Sequence, residues 1–387
     1  MELFIKIVFY ISAFIIVWAM IGFSVSLKII DKFINKKMKK NYNHKPTVTV
    51  MIVAHNEEKV LADKLNNVLE LEYPRDKIEF IVASDNSTDR TNELVKEFIE
   101  EHPEIKLCLF EVKERKGKTN AQNEAQKTVS TDFLVMTDAN SMLDRHAVSE
   151  LMASFTSDDI SYVAGKVTFV NNEVSSISGA ESSYWDGDLV IRDIESRIQT
   201  ITAGNGAIYA CRNKEYKDFN PIQSHDTAMP LDFALNMKRA IANHDAIAYE
   251  KAGEVVEDEF GRKVRMNRLI LKHILPDIRI LNIFKYKWFS YFYFGHRTCR
   301  YLLWISHLLI FVLSMVLFKE SWLYAFAFIG QVLFYLLALI RMTLHSKNKI
   351  LTMIYYYTVT IVAQWVGVYR ILSGQAKPFW EKAESTR

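Results

Sequence analysis

Cysteine is scarce in this chain. Cys108, Cys211 and Cys299 are the three among 387 residues, widely spaced and without a C-x-x-C. An odd, scattered set excludes a disulfide framework and a zinc ribbon, and fits a reducing compartment. An excess of either charge is missing too. Forty-eight Lys and Arg against 45 Asp and Glu leave +3, too balanced to mark a polyanion binder, so no nucleic acid is expected among the partners. Glycine-rich phosphate loops are also lacking. Gly117-Lys118-Thr119 matches the end of a Walker A loop, but Val112 stands where that pattern needs its first glycine, and no G-x-G-x-x-G follows a strand-like run. What the chain has is 50% hydrophobic and 13% aromatic residues. That excludes a disordered or collagenous chain. The length fits two ordinary domains, or one larger domain plus membrane segments.

Charge is also missing locally. From Ile7 to Leu27 there are 21 consecutive uncharged residues, which at ~1.5 Å each cover about 30 Å, the thickness of a bilayer's hydrocarbon core. A cleaved signal peptide would be shorter, start basic and end at a small-x-small site. Glu2 and Lys6 at the start, with no A-x-A after the run, favour a retained anchor over 7–27. Three more runs, 301–318, 321–340 and 350–369, are split by short polar loops. Four such runs predict a multi-pass protein of the cell membrane. Lys28, Lys32, Lys36, Lys37, Lys39, Lys40 and Lys45 follow the first run, and Lys285, Lys287, Arg297 and Arg300 precede the second. Basic flanks stay inside, so the region between is cytoplasmic. The same count leaves the C-terminal tail outside, although it holds Lys377, Lys382 and Arg387. Residues 276–297 mix Arg279, Lys285 and Lys287 with Trp288, Phe289, Tyr291, Phe292, Tyr293 and Phe294. That mixture suits a segment lying among lipid headgroups; the alternative is a core helix packed on the cytoplasmic domain.

Residues 46–275 alternate strand and helix signals. Strands are predicted over 47–53, 78–83, 105–112 and 133–137, with helices over 57–71, 92–101 and 120–128. This order implies an α/β domain with a mostly parallel sheet, whose ligands sit beyond the C-terminal strand ends. The rule singles out His55-Asn56-Glu57, Ser84-Asp85-Asn86 and Thr137-Asp138-Ala139-Asn140. A nucleotide is the natural occupant. Without a glycine loop, its diphosphate needs a metal and basic groups: Asp138 for Mg2+ or Mn2+ through oxygen, with Arg115, Lys116 and Lys118 toward phosphate.

Seven stretches in order, PTVTVMIVAHNEE, IVASDNSTDRT, RKGKTNAQN, VMTDANSMLD, AGNGAIYACR, PLDFALNMKRA and EDEFGRKVR, span about 46–268. The chain thereby resembles the membrane-bound family 2 glycosyltransferases, the group of poly-N-acetylglucosamine, hyaluronan and cellulose synthases. The resemblance implies a GT-A (Rossmann-like) fold and inverting transfer from a nucleotide-sugar, UDP-N-acetylglucosamine being the expected type. It places His55, Asn56, Glu57 and Asp85 at the donor nucleoside, Lys118 and Arg265 at the diphosphate, Asp138 at donor and metal, and Asp232 as the catalytic base. Asn205 and Gly206 lie in the sugar and acceptor region. Inverting transfer needs one base on the attacking hydroxyl and no enzyme nucleophile.

Three residues depart from the family pattern. Asn140 replaces the second aspartate of D-x-D, Leu231 stands where the E-D pair has its first acid, and Met266 replaces the tryptophan of Q-x-x-R-W. Met266 cannot offer a flat platform to an acceptor sugar. The expected acceptor is a growing polysaccharide. A single-sugar transferase acting on a lipid carrier or glycolipid, and a catalytically silent subunit of a secretion complex, are the alternatives. An accessory membrane subunit is a further candidate partner. For topology, a membrane-impermeant thiol reagent on intact cells should label a cysteine placed at Glu2 and not one at Lys40; the reverse pattern would invert the arrangement.

Overall fold

The computed structural model describes residues 1–34, 36–171, 176–251, 256–346 and 348–377, with only the backbone of 176–186 and 256–258. Its centre is β1 (Val48–Ala54), whose seven residues are all buried. The run is Val, Thr, Met, Ile and Ala, which suits a strand covered on both faces. β1 pairs in parallel with β2 (Ile78–Ser84) and with β4 (Phe133–Asp138), and β2 pairs in parallel with β3 (Leu107–Glu111). Between them run α3 (Leu61–Leu69), α4 (Thr91–Glu101) and α5 (Lys118–Gln126). All four predicted strands and three predicted helices are therefore present, with ends shifted by a few residues.

The second half of the sheet is mixed. β6 (Ile160–Phe169), β7 (Ile208–Arg212) and β8 (Arg239–Glu250) extend it past β4, and the short β5 (Met142–Leu143) closes the edge in the order β3-β2-β1-β4-β7-β6-β8-β5. β7 runs antiparallel to both β4 and β6. Alternate residues of β1 face different cores. Val48, Val50 and Ile52 pack with Leu61 and Leu65 of α3, Val95 of α4 and Leu151 of α6 (Ala147–Ala153). Met51 and Val53 pack with Ala121 and Ala125 of α5 and Met229 and Phe233 of α8 (His225–Leu235).

The long α7 (Ser176–Ile198) joins this domain to the apolar helices. Its Ile191, Ile194 and Ile198 pack with Phe23 and Leu27, and Arg197 pairs with Asp31 at 3.0 Å. Phe23, Leu27 and Asp31 belong to α2 (Phe23–Ile34), which continues α1 (Glu2–Val17) in one apolar run of 33 residues. After β8 come α9 (Val256–Met266), α10 (Ile270–Ile274), α11 (Ile283–Tyr286), α12 (Trp288–Phe292) and α13 (Cys299–Tyr301). In the predicted headgroup segment Ile278, Leu281, Ile283 and Phe284 are exposed, whereas Tyr286, Phe289, Phe292 and Tyr293 pack inward.

Among the described residues, three helices are each long and apolar enough to cross a membrane: Glu2–Ile34, Trp322–Leu344 (α15) and Lys349–Leu372 (α16). The predicted run 301–318 differs. It is α14 (Leu303–Val316), 14 residues long and bent by 59° from the helical segment Trp288–Tyr301 before it; alone it reaches about 21 Å, and together the two are long and apolar enough for one broken span. The bend frees backbone groups in apolar surroundings, where each needs a partner. Gln364 of α16 supplies both, accepting from the Trp304 amide at 3.1 Å and donating to the Arg300 carbonyl at 2.9 Å. α14 returns along α1: Ala19 packs with Leu303, and Lys6 meets Glu320 at 2.7 Å. α16 lies along α9, where Tyr356 Oη donates to Glu259 at 3.2 Å, Lys263 Nζ sits 4.1 Å from the Tyr356 ring centre, and Gly367 abuts Asn267. Lys382 and Arg387 of the tail lie outside the described residues.

Candidate active site

The parallel register sets Ala54 opposite Ser84 and Val53 opposite Asp138. The loops that follow β1, β2 and β4 therefore leave from one edge. Asn56 and Asn86 both adopt left-handed φ of 54°, which asparagine tolerates better than most side chains. His55, Asn56 and Glu57 interlock with the loop after β2. His55 Nδ1 donates to the Asp85 carbonyl at 2.7 Å, Asn56 Oδ1 accepts from the Thr88 amide at 2.7 Å, and the Glu57 amide donates to Thr91 Oγ1 at 2.7 Å. Asp85 is buried, its two carboxylate oxygens accepting from the amides of Lys116 at 3.1 Å and Gly117 at 2.8 Å. It thus anchors the basic turn. Gly117, at φ 95°, permits the reversal that starts α5.

Lys118 opens α5 and reaches across the edge. Its Nζ donates to the Gly206 carbonyl at 2.8 Å and pairs with Asp138 Oδ1. A Cβ at Gly206 would stand 3.6 Å from Lys118 Nζ and 3.8 Å from Asp226 Oδ1, so both groups flank this glycine. The Asn205 side chain folds back on the Ala207 amide at 3.0 Å, shaping the loop. Arg265, half-buried on α9, lies in the field of Asp138; burial, with Arg262 and Arg268 beside it, pushes its guanidinium down to about 10.

Below Asp138 is a second layer that the sequence reading missed. Lys64 of α3 is fully buried and donates to Thr137 Oγ1 at 3.1 Å and to the Ser141 carbonyl. Burial pushes its amine down to about 7, although Asp138 and Glu250 oppose the shift. Glu250 at the end of β8 accepts from Ser141 Oγ, and burial with Asp138 nearby raises its carboxyl. Nothing local in the sequence tied Lys64 or Glu250 to Asp138; β5 pairing with β8 does so.

Asp232 does not join the group. Asp226 sits in the first turn of α8, and Asp232 six positions further along, about 9 Å away and some 240° round the helix. Its carboxylate is held by Lys217 Nζ at 2.8 and 3.0 Å. The signal for Asp226 was available: it is an acid in the first turn of a helix, beside His225. His225 itself is buried among Gln122, Asn123 and Tyr216.

Among the described residues no three His, Cys, Asp or Glu side chains gather as a closed metal cage. Asp138 still fits a divalent cation. Its side chain is 31% exposed and already accepts a cationic partner in Lys118. Mg2+ in particular is commonly held by one or two carboxylates with water and substrate phosphate.

The family Glycosyl transferase family 2 matches residues 49–212. The chain carries a family 2 glycosyltransferase domain. The Bacillus subtilis protein "Probable glycosyltransferase YdaM" is 35% identical over 137 residues, 35% of this chain and 33% of that protein. A poly-beta-1,6-N-acetyl-D-glucosamine synthase of Staphylococcus aureus is 27% identical over 199 residues, 42% of this chain and 47% of the synthase. The chain thus spans less than half the length of these curated relatives. A mannosyltransferase of Pyrobaculum calidifontis, solved with GDP-mannose and Mn2+, superposes with a TM-score of 0.71 at 20% identity over 95% of this chain and 99% of that one. The glycosyltransferase domain has the GT-A fold.

Acid should unfold this domain through His225. Burial pushes its imidazole down to about 3 from 6.5. Between those values the unfolded chain binds a proton that the folded chain refuses, so stability falls as pH falls from about 6.5 toward 3. Thermal midpoints recorded across that range should show the decline, and it should flatten in His225→Gln.

Proposed function

We propose that the protein is an inverting glycosyltransferase that moves a sugar from a nucleotide-sugar to an acceptor at the cytoplasmic membrane face. The observation that carries this reading is the convergence of Lys118, Asp138 and Asp226 around Gly206, with Arg265 in the field of Asp138. The strand-edge loops of His55, Asn56, Glu57 and Asp85 frame the nucleoside. Lys118 and Arg265 take the charge of the diphosphate, and a guanidinium suits phosphate oxygens in pairs. A Mg2+ or Mn2+ ion held by Asp138, with Glu250 behind it, would supply further neutralisation of the leaving group. Gly206 keeps the space between Lys118 and Asp226 free for the sugar.

Asp226, in place of Asp232, is the base in this reading. The acceptor hydroxyl attacks the anomeric carbon from the face opposite the diphosphate. Its proton passes to the Asp226 carboxylate as the new C–O bond forms, and the bond from anomeric carbon to phosphate oxygen breaks with its electron pair on the diphosphate. Asp232, already bonded to Lys217, is remote from these groups.

The donor expected is UDP-N-acetylglucosamine and the acceptor a growing polysaccharide, as the name of the Staphylococcus aureus relative suggests. Met266, 52% exposed on α9 and without an aromatic face, favours a second reading: single addition to a lipid-linked acceptor. Thermal stabilisation by UDP-N-acetylglucosamine or GDP-mannose, followed by sizing of radiolabelled product, separates these readings. In that assay Asp226→Asn should lower kcat by ~10²–10⁴-fold with diphosphate affinity near wild type, whereas Asp232→Asn should leave turnover within about 3-fold of wild type. Arg265→Ala should weaken both binding and turnover, and Asp138→Asn should abolish the response to Mn2+. A fully active Asp226→Asn would remove the assignment.

The helices support a multi-pass arrangement with the catalytic domain inside. We further infer that α16 lies against the domain instead of crossing the bilayer, because Tyr356 meets Glu259 of α9 and Gly367 meets Asn267 just after it. With the bent pair Trp288–Tyr301 and Leu303–Val316 crossing as one broken span and α15 crossing back, this keeps Lys377 inside and accounts for the basic tail. A cysteine at Lys377 should then resist the impermeant reagent as one at Lys40 does; labelling in intact cells would restore the crossing.

A further inference from the structure

The reaction described above leaves one buried cluster of charged groups unused. Asp188, Arg192 and Glu195 follow one another along α7, and each is no more than 5% exposed. His296 stands between the two carboxylates, with Nε2 2.8 Å from Asp188 Oδ1 and Nδ1 2.8 Å from Glu195 Oε1. Arg300 Nη1 donates to the same Asp188 oxygen at 2.8 Å, and Arg192 Nε pairs with the other at 2.6 Å. His296 and Arg300 belong to the helical segment Trp288–Tyr301 that leads into the bend before α14. Burial alone would raise the Asp188 carboxyl, but Arg192, His296 and Arg300 hold it well below the usual carboxylate range.

Such a cluster is a poor device for stability alone, since well-packed apolar residues often do as well. What it fixes is geometry, and it ends on the site. Arg192 Nη1 donates to the Gly204 carbonyl at 2.6 Å, and the Gly204 amide donates to the Asp226 carbonyl at 2.6 Å. The Thr202 amide, two residues earlier, donates to Glu195 Oε2 at 3.3 Å. The Tyr162 ring packs so closely on Gly204 that no side chain fits there. A contiguous path therefore runs from the membrane-entry segment, through Asp188 and Arg192, to the loop before Gly206 and to the backbone of Asp226.

We propose that Arg192 is a positioning residue, and that Arg300, His296, Asp188 and Arg192 form a strut that sets loop 203–206 and Asp226 from the position of the membrane-entry segment. The idea rests on the reading of Asp226 as base. Because the strut holds the acceptor side and not the diphosphate, its loss acts on turnover more than on donor binding.

The full chain in lipid nanodiscs, assayed with UDP-N-acetylglucosamine or with GDP-mannose if the donor screen selects it, tests this. Arg192→Met should lower kcat roughly 10–100-fold, the scale of a misplaced reacting group. Donor KM and UDP or GDP affinity should stay within about 2-fold. Arg192→Lys, which keeps a donor toward Gly204, should recover most of the loss. Arg300→Met should show the same split between kcat and KM, and the double variant should be no slower than Arg192→Met, the signature of residues acting as one unit. Should Arg192→Met fail to fold, Arg300→Met, at a side chain 22% exposed, carries the test. Unchanged kcat, an equal loss of diphosphate affinity, or additive effects would overturn the strut. Asp226→Asn in parallel separates the two ideas. An inactive Asp226→Asn beside a fully active Arg192→Met removes the strut alone, and an active Asp226→Asn removes the base whatever Arg192 does.

Discussion

Parallel pairing of β1 with both β2 and β4 makes three chain segments end at one edge of the sheet. Strands running the same way must turn on the same side, so their loops become neighbours without further design. The rest of the site is hung on that edge. Asp85 closes the basic turn, the turn aims Lys118 across the gap, and Lys118 meets both Asp138 and the loop of Gly206. β7, antiparallel to β4, then starts beside that edge and carries the loop of Asn205 and Gly206 into it.

The electrostatics follow from crowding cations round a few acids. Lys64, Lys118, Arg262, Arg265 and Arg268 act on Asp138, Glu250 and Asp226; burial lowers Lys64, and burial with repulsion from Arg262 and Arg268 lowers Arg265. An excess of positive groups in a partly desolvated crevice favours an anionic occupant. Glu259 limits the excess by taking Arg262 in a paired contact at 2.7 and 3.0 Å.

Much of this was legible in the sequence, and the failures have physical causes. β1 to β4 and their helices show clear short β-branched runs and helical spacing, so their order and the edge at His55, Asp85 and Asp138 could be read directly. β6, β7 and β8 depend on pairing partners far away in the chain, and a mixed sheet does not advertise its strand directions locally. Asp232 and Asp226 were interchangeable as helix acids until α8 turned them to different faces. Asp85 was legible as a strand-end acid, but its hold on the amides of Lys116 and Gly117 needs the folded turn. The bend after Tyr301 was invisible because no proline or glycine between Gly295 and Gly330 marks a break.

That bend has a consequence for how the protein is made. The Trp304 amide and Arg300 carbonyl are satisfied by one side chain that lies about 60 residues later in the chain. Asparagine would be shorter and a glutamate would lack the donor, so glutamine suits both groups. During synthesis, Gln364 leaves the ribosome some 60 residues after Arg300 and Trp304. Until it arrives, the break before α14 holds two unmatched polar groups in an apolar setting, and the straight helix is the better alternative. The final shape of the membrane-entry segment, and with it the seating of α7 and the catalytic domain, is therefore completed only after α16 has been made.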